Sequence, residues 1–295
     1  EIVGYRHVPS VDPAAETSAI SAWEVITALP QRGVDLMREP RTPLIGRKRE
    51  LELLASALAR VLEARSPQLV TVVGVPGIGK SRLVFELSKS VAQRREQVTW
   101  RQGRCLSYGD GVSFWALGEI IKAQAGILES DSIERAADRL RSAIDEVIPD
   151  GDEAVWVECD LRPLVGARAD VRPAEPSEAR FTAWRRFLEA TAEMRPLALV
   201  FEDLHWADDG LLDFIDELTD RARDAPLLVL CTARPELFER QPGWGGGKAN
   251  AATISLTSLS DSETARLVAA VLEPRSLDVV GHETLLARAA GNPLY

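Results

Sequence analysis

The segment 74–81, with the sequence GVPGIGKS, restricts the fold of this 295-residue chain more than any other feature. It matches the pattern GxxxxGK[ST] and stands between the apolar, β-branched stretch Gln68–Val73 and a stretch with helical apolar spacing that begins near Lys80. A glycine-rich turn between a buried strand and a helix presents consecutive backbone N–H groups to an anion. The positive end of the helix dipole favours the same anion. The sequence therefore predicts a phosphate-binding loop.

The residues of this loop have distinct expected roles toward a nucleotide. Lys80 supplies an ammonium group for the β- and γ-phosphates, and Ser81 supplies a hydroxyl group for Mg²⁺. The glycines permit backbone conformations that are closed to other residues. The full set expected to contact the nucleotide here is Gly74, Val75, Pro76, Gly77, Ile78, Gly79, Lys80, Ser81 and Arg82.

A second chemical signal is a pair of acids, Glu202 and Asp203, that directly follows the apolar stretch 197–201. Hydrolysis of a bound nucleotide needs a carboxylate at the tip of a neighbouring strand to order the Mg²⁺ shell, and usually a group that orients water. The sequence leaves open which acid takes which role. We therefore expect both to be catalytic and both, with Ser81, to be metal residues.

Polar residues near two other strand ends are further candidates. Thr232 and Arg234 stand at and after the end of the apolar stretch 227–232. An arginine there can contact the γ-phosphate through its fork of donors, and the alternative is an ordinary surface arginine. His205 is either a contact for the γ-phosphate or a packed structural histidine, and the sequence does not decide between the two.

The order of apolar stretches predicts an α/β fold, with a parallel sheet flanked by helices. Strands are expected at 68–73, 97–101, 197–201, 227–232 and 253–256, and helices at 51–65, 80–94, 113–127, 132–147, 177–194, 209–222, 260–272 and 281–290. The segment 149–176 stays undetermined because it is rich in proline, glycine and acids.

The chain is expected to divide into four parts. These are a linker or the tail of an upstream domain at 1–42, a nucleotide-binding core at 43–235, a flexible loop at 236–250 and the truncated start of a helical lid at 251–295. The chain begins without methionine and ends without a helix cap, so we expect it to be a piece of a longer protein.

Composition restricts the classes of function. The chain has 35 Lys and Arg residues against 45 Asp and Glu residues, a formal net charge of −10, which argues against a surface that coats nucleic acid. No apolar run approaches the roughly 18 residues of a membrane span. The cysteines Cys105, Cys159 and Cys231 lie far apart, so we expect packed thiols in a reducing, cytoplasmic location.

Six motifs, in this order, resemble the signalling ATPases of the STAND branch of AAA+ proteins. The closest resemblance is to the module found after class III adenylate/guanylate cyclase domains and in large helix-turn-helix (LuxR-type) transcriptional regulators. The matching segments are LIGRKREL (44–51), GVPGIGKSRLVFEL (74–87), GRCLSYGDGVSFWALGEI (103–120), LALVFEDLHWAD (197–208), LLVLCTARPE (227–236) and GNPLY (291–295). The segment AISAWEV (19–25) is similar to the tail that follows a cyclase domain.

This resemblance implies a P-loop NTPase fold with ATP or ADP and Mg²⁺ as cofactors, and it assigns roles to the matching residues. They are Lys80 and Ser81 for phosphate and Mg²⁺, Glu202 and Asp203 for the acidic strand end, Arg234 as sensor, and Gly46, Arg47 and Pro293 near the adenine base. The acids stand in the order Glu-Asp, whereas AAA+ motors usually have Asp-Glu. A GTP-selecting Asn-Lys-x-Asp string is absent from the sequence.

We therefore expect a regulatory switch that binds ATP, hydrolyses it slowly to ADP and phosphate, and passes its nucleotide state to attached domains. The alternatives are a module that retains ADP or ATP without hydrolysis, and a stand-alone phosphotransferase. The expected partners are an adenine nucleotide and the covalently attached upstream and downstream domains, with homo-oligomer formation left open. We expect no direct contact of this segment with nucleic acid or a membrane.

Overall fold

The computed structural model describes residues 42–94, 97–107, 113–167, 177–271 and 289–294, and the backbone of 3–8 and 22–28. In chain order its elements are β1 (Val3–Val8), β2 (Ala22–Ala28), α1 (Lys48–Ala64), β3 (Gln68–Val73), α2 (Lys80–Ala92), β4 (Thr99–Arg104), α3 (Trp115–Ala125), α4 (Ile133–Val147), α5 (Gly151–Leu161), α6 (Glu178–Met194), β5 (Leu197–Glu202), a 3₁₀ turn (Leu204–Trp206), α7 (Asp209–Arg221), β6 (Leu227–Ala233), α8 (Glu236–Arg240), β7 (Ala251–Ser255) and α9 (Asp261–Val271).

The centre of the molecule is a five-stranded parallel sheet with the strand order β4-β5-β6-β3-β7. This confirms the expected α/β class. We expected the acids at the tip of the strand next to β3, which precedes the phosphate loop. The structure corrects this, because β6 lies between β3 and the strand that carries the acids, β5. The carboxyl ends of all five strands meet at one edge of the sheet, which is where ligands bind in open α/β folds.

Helices cover both faces of this sheet. On one face, α1 and α2 pack against strand residues such as Val70, Val200 and Leu230. On the other face, α3 to α7 build a second core that includes Leu199, Phe201 and Val229. β5 and β6 are buried along their whole length. This explains why both strands stand in the sequence as unbroken apolar runs rather than alternating ones.

Two segments contain a helix that the sequence-based expectation did not include. The undetermined segment 149–176 contains α5, whose N-cap residue Asp150 accepts hydrogen bonds from the backbone of the first helical turn. The segment 236–250, expected as a loop, contains α8. Further along this segment, the buried Trp244 donates a hydrogen bond to Oγ1 of Thr71 on β3 at 2.9 Å. This contact fastens the glycine-rich part of the segment to the sheet.

The two ends of the chain are described only in part. β1 and β2 form a separate antiparallel pair within the segment expected to be a linker or an upstream tail. The helix expected at 281–290 lies almost wholly outside the described residues. Among the helices that are described, none is long and apolar enough to cross a lipid bilayer.

The three cysteines differ in accessibility, which corrects the expectation that all are packed. Cys105 and Cys231 are buried, whereas Cys159 on α5 is exposed. Burial raises the pKa of Cys105 to about 12 and raises that of Cys231 well above its usual value. Since the thiolate is the reactive form, we expect a maleimide at neutral pH to label Cys159 alone in the folded chain, as counted by intact mass spectrometry. Fast labelling of a second cysteine before unfolding would contradict this burial.

Candidate nucleotide-binding site

The loop between β3 and α2 has the backbone conformation of an anion site. Gly77 and Gly79 have φ angles of +80° and +107°, in the region that favours glycine. Gly79 is the N-cap residue of α2 and has no side chain with which to cap the helix. The N–H groups of the first helical turn therefore face the loop, where a phosphate group can accept their hydrogen bonds.

Lys80 lies buried at the start of α2 and folds back across the loop. Its Nζ donates hydrogen bonds to the carbonyl oxygens of Gly74 at 2.7 Å and Val75 at 3.2 Å. Burial lowers the pKa of Lys80, while the charge of Asp203 acts in the opposite direction. A polyphosphate in the loop would offer this ammonium group stronger, charged acceptors than the two carbonyl oxygens.

The two acids at the end of β5 have different environments. The Glu202 side chain is 1% exposed, and one of its oxygens, Oε2, accepts a hydrogen bond from Nη2 of Arg104 at 2.8 Å. Asp203 is 39% exposed, and its backbone N–H donates to Oγ1 of Thr232 on β6 at 3.1 Å. Val200 packs against the α2 face of the sheet, and strand side chains alternate, so Glu202 lies on that face as well.

These residues fit a Mg²⁺ ion. Oε1 of Glu202 is buried without a hydrogen-bond partner among the described residues. Such an atom is costly unless a ligand completes its bonding, and Mg²⁺ with its retained waters is a ligand that oxygen atoms favour. Ser81 is exposed and follows Lys80 at the start of α2. Ser81, Glu202 and Asp203 are the residues that would hold the ion.

His205 and Arg234 lie in the same charged cluster. Both ring nitrogens of His205 are buried without a partner in the part of the chain that the structure describes. Burial lowers the pKa of His205, Asp203 raises it, and Arg234 lowers it further. The guanidinium carbon of Arg234 lies 5.8 Å from the ring centroid of Trp206, a cation–π contact between the residue after β6 and the 3₁₀ turn after β5.

A mostly apolar cavity of about 270 Å³ opens beside the loop. Its lining includes Leu44, Ile45, Ile78, Leu259 and Pro293. Pro293 and Arg47, which the resemblance places near the adenine base, both line this cavity. Gly46 has a φ angle of +70°, and a Cβ there would lie 2.6 Å from the Leu259 side chain, so it packs against the segment before α9.

Arg47 connects separate parts of the site. Its Nη2 donates to the carbonyl oxygens of Ile78 at 3.2 Å and Thr257 at 2.5 Å, and its Nη1 lies 3.3 Å from Glu50. The guanidinium thus ties the phosphate loop to the segment after β7. This is a structural role in addition to the place beside the base that the resemblance implies.

We expect Arg47→Ala to lower the free energy of unfolding by about 3 kcal/mol, because two carbonyl oxygens would lose a charged donor. Urea unfolding measures this effect. Arg49→Ala, which removes an exposed arginine two residues away, serves as the control and should leave stability unchanged. Equal stability of both variants would show that Arg47 does not fasten these segments.

The segment 289–294 lies against the phosphate loop. Nδ2 of Asn292 donates to the carbonyl oxygen of Pro76 at 2.9 Å. A Cβ on Gly77 would lie 2.6 Å from Cβ of Leu294, so the two backbones approach closely. Sequence reasoning did not single out Asn292, although it stands in the GNPLY motif, and it did not single out Arg104.

Comparison with known proteins agrees with this geometry. Residues 43–230 match the family model described as AAA ATPase domain. The chain belongs to the AAA ATPase domain family. Membership in this family indicates a nucleotide-binding ATPase module. No curated protein matches the sequence.

Several solved structures are similar to this AAA ATPase domain. A Signal Transduction ATPase with Numerous Domains (STAND) protein with a tetratricopeptide repeat sensor, from Pyrococcus horikoshii, is 16% identical over 88% of this chain and 30% of that chain, with a TM-score of 0.41. Cdc6p from Pyrobaculum aerophilum is 11% identical over 87% and 58%, with a TM-score of 0.48. The Orc1 protein of Aeropyrum pernix in complex with DNA is 16% identical over 86% and 58%, with a TM-score of 0.45. The match covers less than two thirds of each of these longer chains.

Proposed function

We propose that this AAA ATPase domain is a regulatory switch that binds ATP, hydrolyses it slowly and passes its nucleotide state to other domains of a longer signalling protein. One observation carries the proposal: the loop that would hold the phosphates also contacts the segment 289–294, through Asn292 on Pro76 and Leu294 on Gly77. A nucleotide whose phosphates move this loop would alter those contacts. ATP and ADP would then favour different positions of the segment.

Each polar residue of the site has a role in the proposed reaction. Lys80 and the loop N–H groups would bind the phosphates, and bound Mg²⁺ would neutralise phosphate charge at the γ-phosphoryl group. Asp203, which is 39% exposed, would orient the attacking water. Glu202, whose buried Oε1 has no hydrogen-bond partner among the described residues, would take the metal side. Arg234 would contact the γ-phosphate as the sensor.

The wider context is part of the proposal and rests on the six sequence motifs. They favour a STAND protein, with a cyclase domain upstream or with a helix-turn-helix output in a transcriptional regulator. The core at 43–235 and the lid at 251–295 would be its adjoining parts. A cytoplasmic location, and the absence of nucleic-acid binding by this segment, remain predictions.

The proposal is tested by three measurements on the same chain. Calorimetry with Mg²⁺ should detect binding of ATP and ADP and weaker binding of GTP. Turnover of ATP should stay below about 1 per second, the lower end of ordinary enzyme rates. Hydrogen–deuterium exchange at 256–271 and 289–294 should differ between ADP and a slowly hydrolysed ATP analogue.

The possible results separate the candidate functions. An absence of heat with every adenine nucleotide would overturn the proposal. Tight binding with the same exchange pattern for ATP and ADP would favour a module that only retains its nucleotide. Turnover well above 1 per second would favour an efficient ATPase or phosphotransferase.

A further inference from the structure

Arg104 meets both acids of the site. It is the last residue of β4, and it stands opposite Glu202, the last residue of β5, in the parallel register of the two strands. Their side chains therefore leave the sheet on the same face. Nη2 of Arg104 lies 2.8 Å from Oε2 of Glu202, and Nε lies 3.8 Å from Oδ2 of Asp203.

The backbone of Arg104 is fastened in place. Its N–H donates to Oε2 of Glu119 on α3 at 2.9 Å, and the N–H of the next residue, Cys105, donates to the carbonyl oxygen of Glu202 at 2.9 Å. These two bonds hold the end of β4 against α3 on one side and against β5 on the other. The guanidinium group is thus anchored beside the acids, with 38% of the side chain exposed at the mouth of the site.

The charges explain why such a residue is needed. A buried carboxylate such as that of Glu202 is strongly destabilising unless a cation is paired with it. Arg104 supplies this cation at Oε2, and the other oxygen, Oε1, has no hydrogen-bond partner in the described part of the chain. A second cation at the same acids would therefore meet a resident positive charge a few ångströms away, and like charges at this distance repel strongly when partly buried.

We propose that Arg104 is a positioning residue that acts as a counter-charge: it pairs with Glu202, offsets part of the charge of the two acids in the metal-free chain and thereby sets the Mg²⁺ concentration at which nucleotide binding responds. This inference rests on the proposed function, since it concerns the same site. It adds a residue of β4 to the site, beyond those of the loop motif and the acidic pair. It also connects the state of the site to α3 through Glu119.

The test measures the affinity of a fluorescent ATP analogue with excess Mg²⁺ and with a chelator. The affinity with Mg²⁺ divided by the affinity with the chelator is a ratio that expresses the coupling between metal and nucleotide. Arg104→Gln keeps a polar side chain at this position and removes the charge, so we expect the ratio to rise about tenfold. Arg104→Lys keeps the charge, and its ratio should stay near that of the wild type.

Arg101→Gln is the matched control, because it removes the same charge from the same strand. Arg101 contacts Gln124 of α3, on the opposite face of the sheet from Glu202. Its ratio should equal that of the wild type. A purely structural effect of losing an arginine from β4 would change the melting temperature of either variant without changing this ratio.

A second pair of variants keeps the inference testable if Arg104→Gln does not fold. In Glu202→Gln no buried carboxylate remains to be neutralised. Adding Arg104→Gln to it should raise the ratio above that of Glu202→Gln alone by less than tenfold, because only the repulsion between Arg104 and the ion is then relieved. An unchanged or lowered ratio in either background in which the variant folds would overturn the inference while leaving the proposed function intact. If the wild-type chain bound no nucleotide at all, the proposed function itself would fail.

Discussion

Replacing Lys80 with alanine is expected to weaken ATP binding about 100-fold while the chain stays folded. The ammonium group lies buried in the loop, where it bonds to the carbonyl oxygens of Gly74 and Val75. Two charge-assisted hydrogen bonds to phosphate oxygens would contribute about 3 kcal/mol together, which corresponds to that factor. Isothermal calorimetry with Mg²⁺ and ATP measures the change.

Lys48→Ala is the control for this experiment. Lys48 is 92% exposed on α1 and makes only a long surface ion pair with Glu52 at 3.9 Å. Its removal should leave the affinity within a factor of two, because exposed pairs of this kind contribute little. Equal affinities for the Lys80 and Lys48 variants would mean that the loop does not bind the phosphates.

Replacing Gly103 with alanine is expected to lower the free energy of unfolding by about 3 kcal/mol. A Cβ at this position on β4 would overlap the carbonyl oxygen of Ala116 in α3. Relief requires movement of helix backbone, since no flexible side chain can give way. The measurement is urea denaturation followed by circular dichroism.

Gly151→Ala provides the comparison. Gly151 begins α5, and an added Cβ there meets no atom within 4 Å in the described ranges. Alanine loses less backbone freedom on folding than glycine, so this variant should be as stable as the wild type or more stable by up to about 1 kcal/mol. A Gly103→Ala variant of wild-type stability would show that β4 and α3 are not packed this closely.

The phosphate loop and the sheet could be predicted because their signals are local. The glycines, Lys80 and Ser81 stand next to each other between a strand and a helix, so eight residues define the motif. β5 and β6 are unbroken apolar runs, as strands buried on both faces must be. Neither prediction depended on knowing which strands are neighbours.

The remaining features depend on contacts between distant parts of the chain. Arg104 and Glu202 are 98 residues apart, and they meet only because β4 and β5 pair in one particular register. Arg47 was assigned to the base by resemblance, yet it also bonds to Thr257, 210 residues further along. No local pattern marks either partner.

Composition misled the prediction where tertiary contacts decide the structure. The sequence GWGGGK indicates a loop, but buried Trp244 bonds to Thr71 in the sheet. In the segment before α6, prolines and glycines concealed α5, although Asp150 followed by acids is a typical helix start. Attention to caps, rather than to composition, would have found this helix.

The position of β6 in the sheet sets the width of the candidate nucleotide site. Two strand spacings, about 9.6 Å in total, separate the strand before the loop from the strand that carries the acids. Were β3 and β5 adjacent, Glu202 and Asp203 would stand against Lys80 and close the space with a direct ion pair. One interposed strand therefore creates a gap wide enough for a phosphate chain and a hydrated ion, and Thr232, which bonds to the backbone of Asp203, lies at its centre.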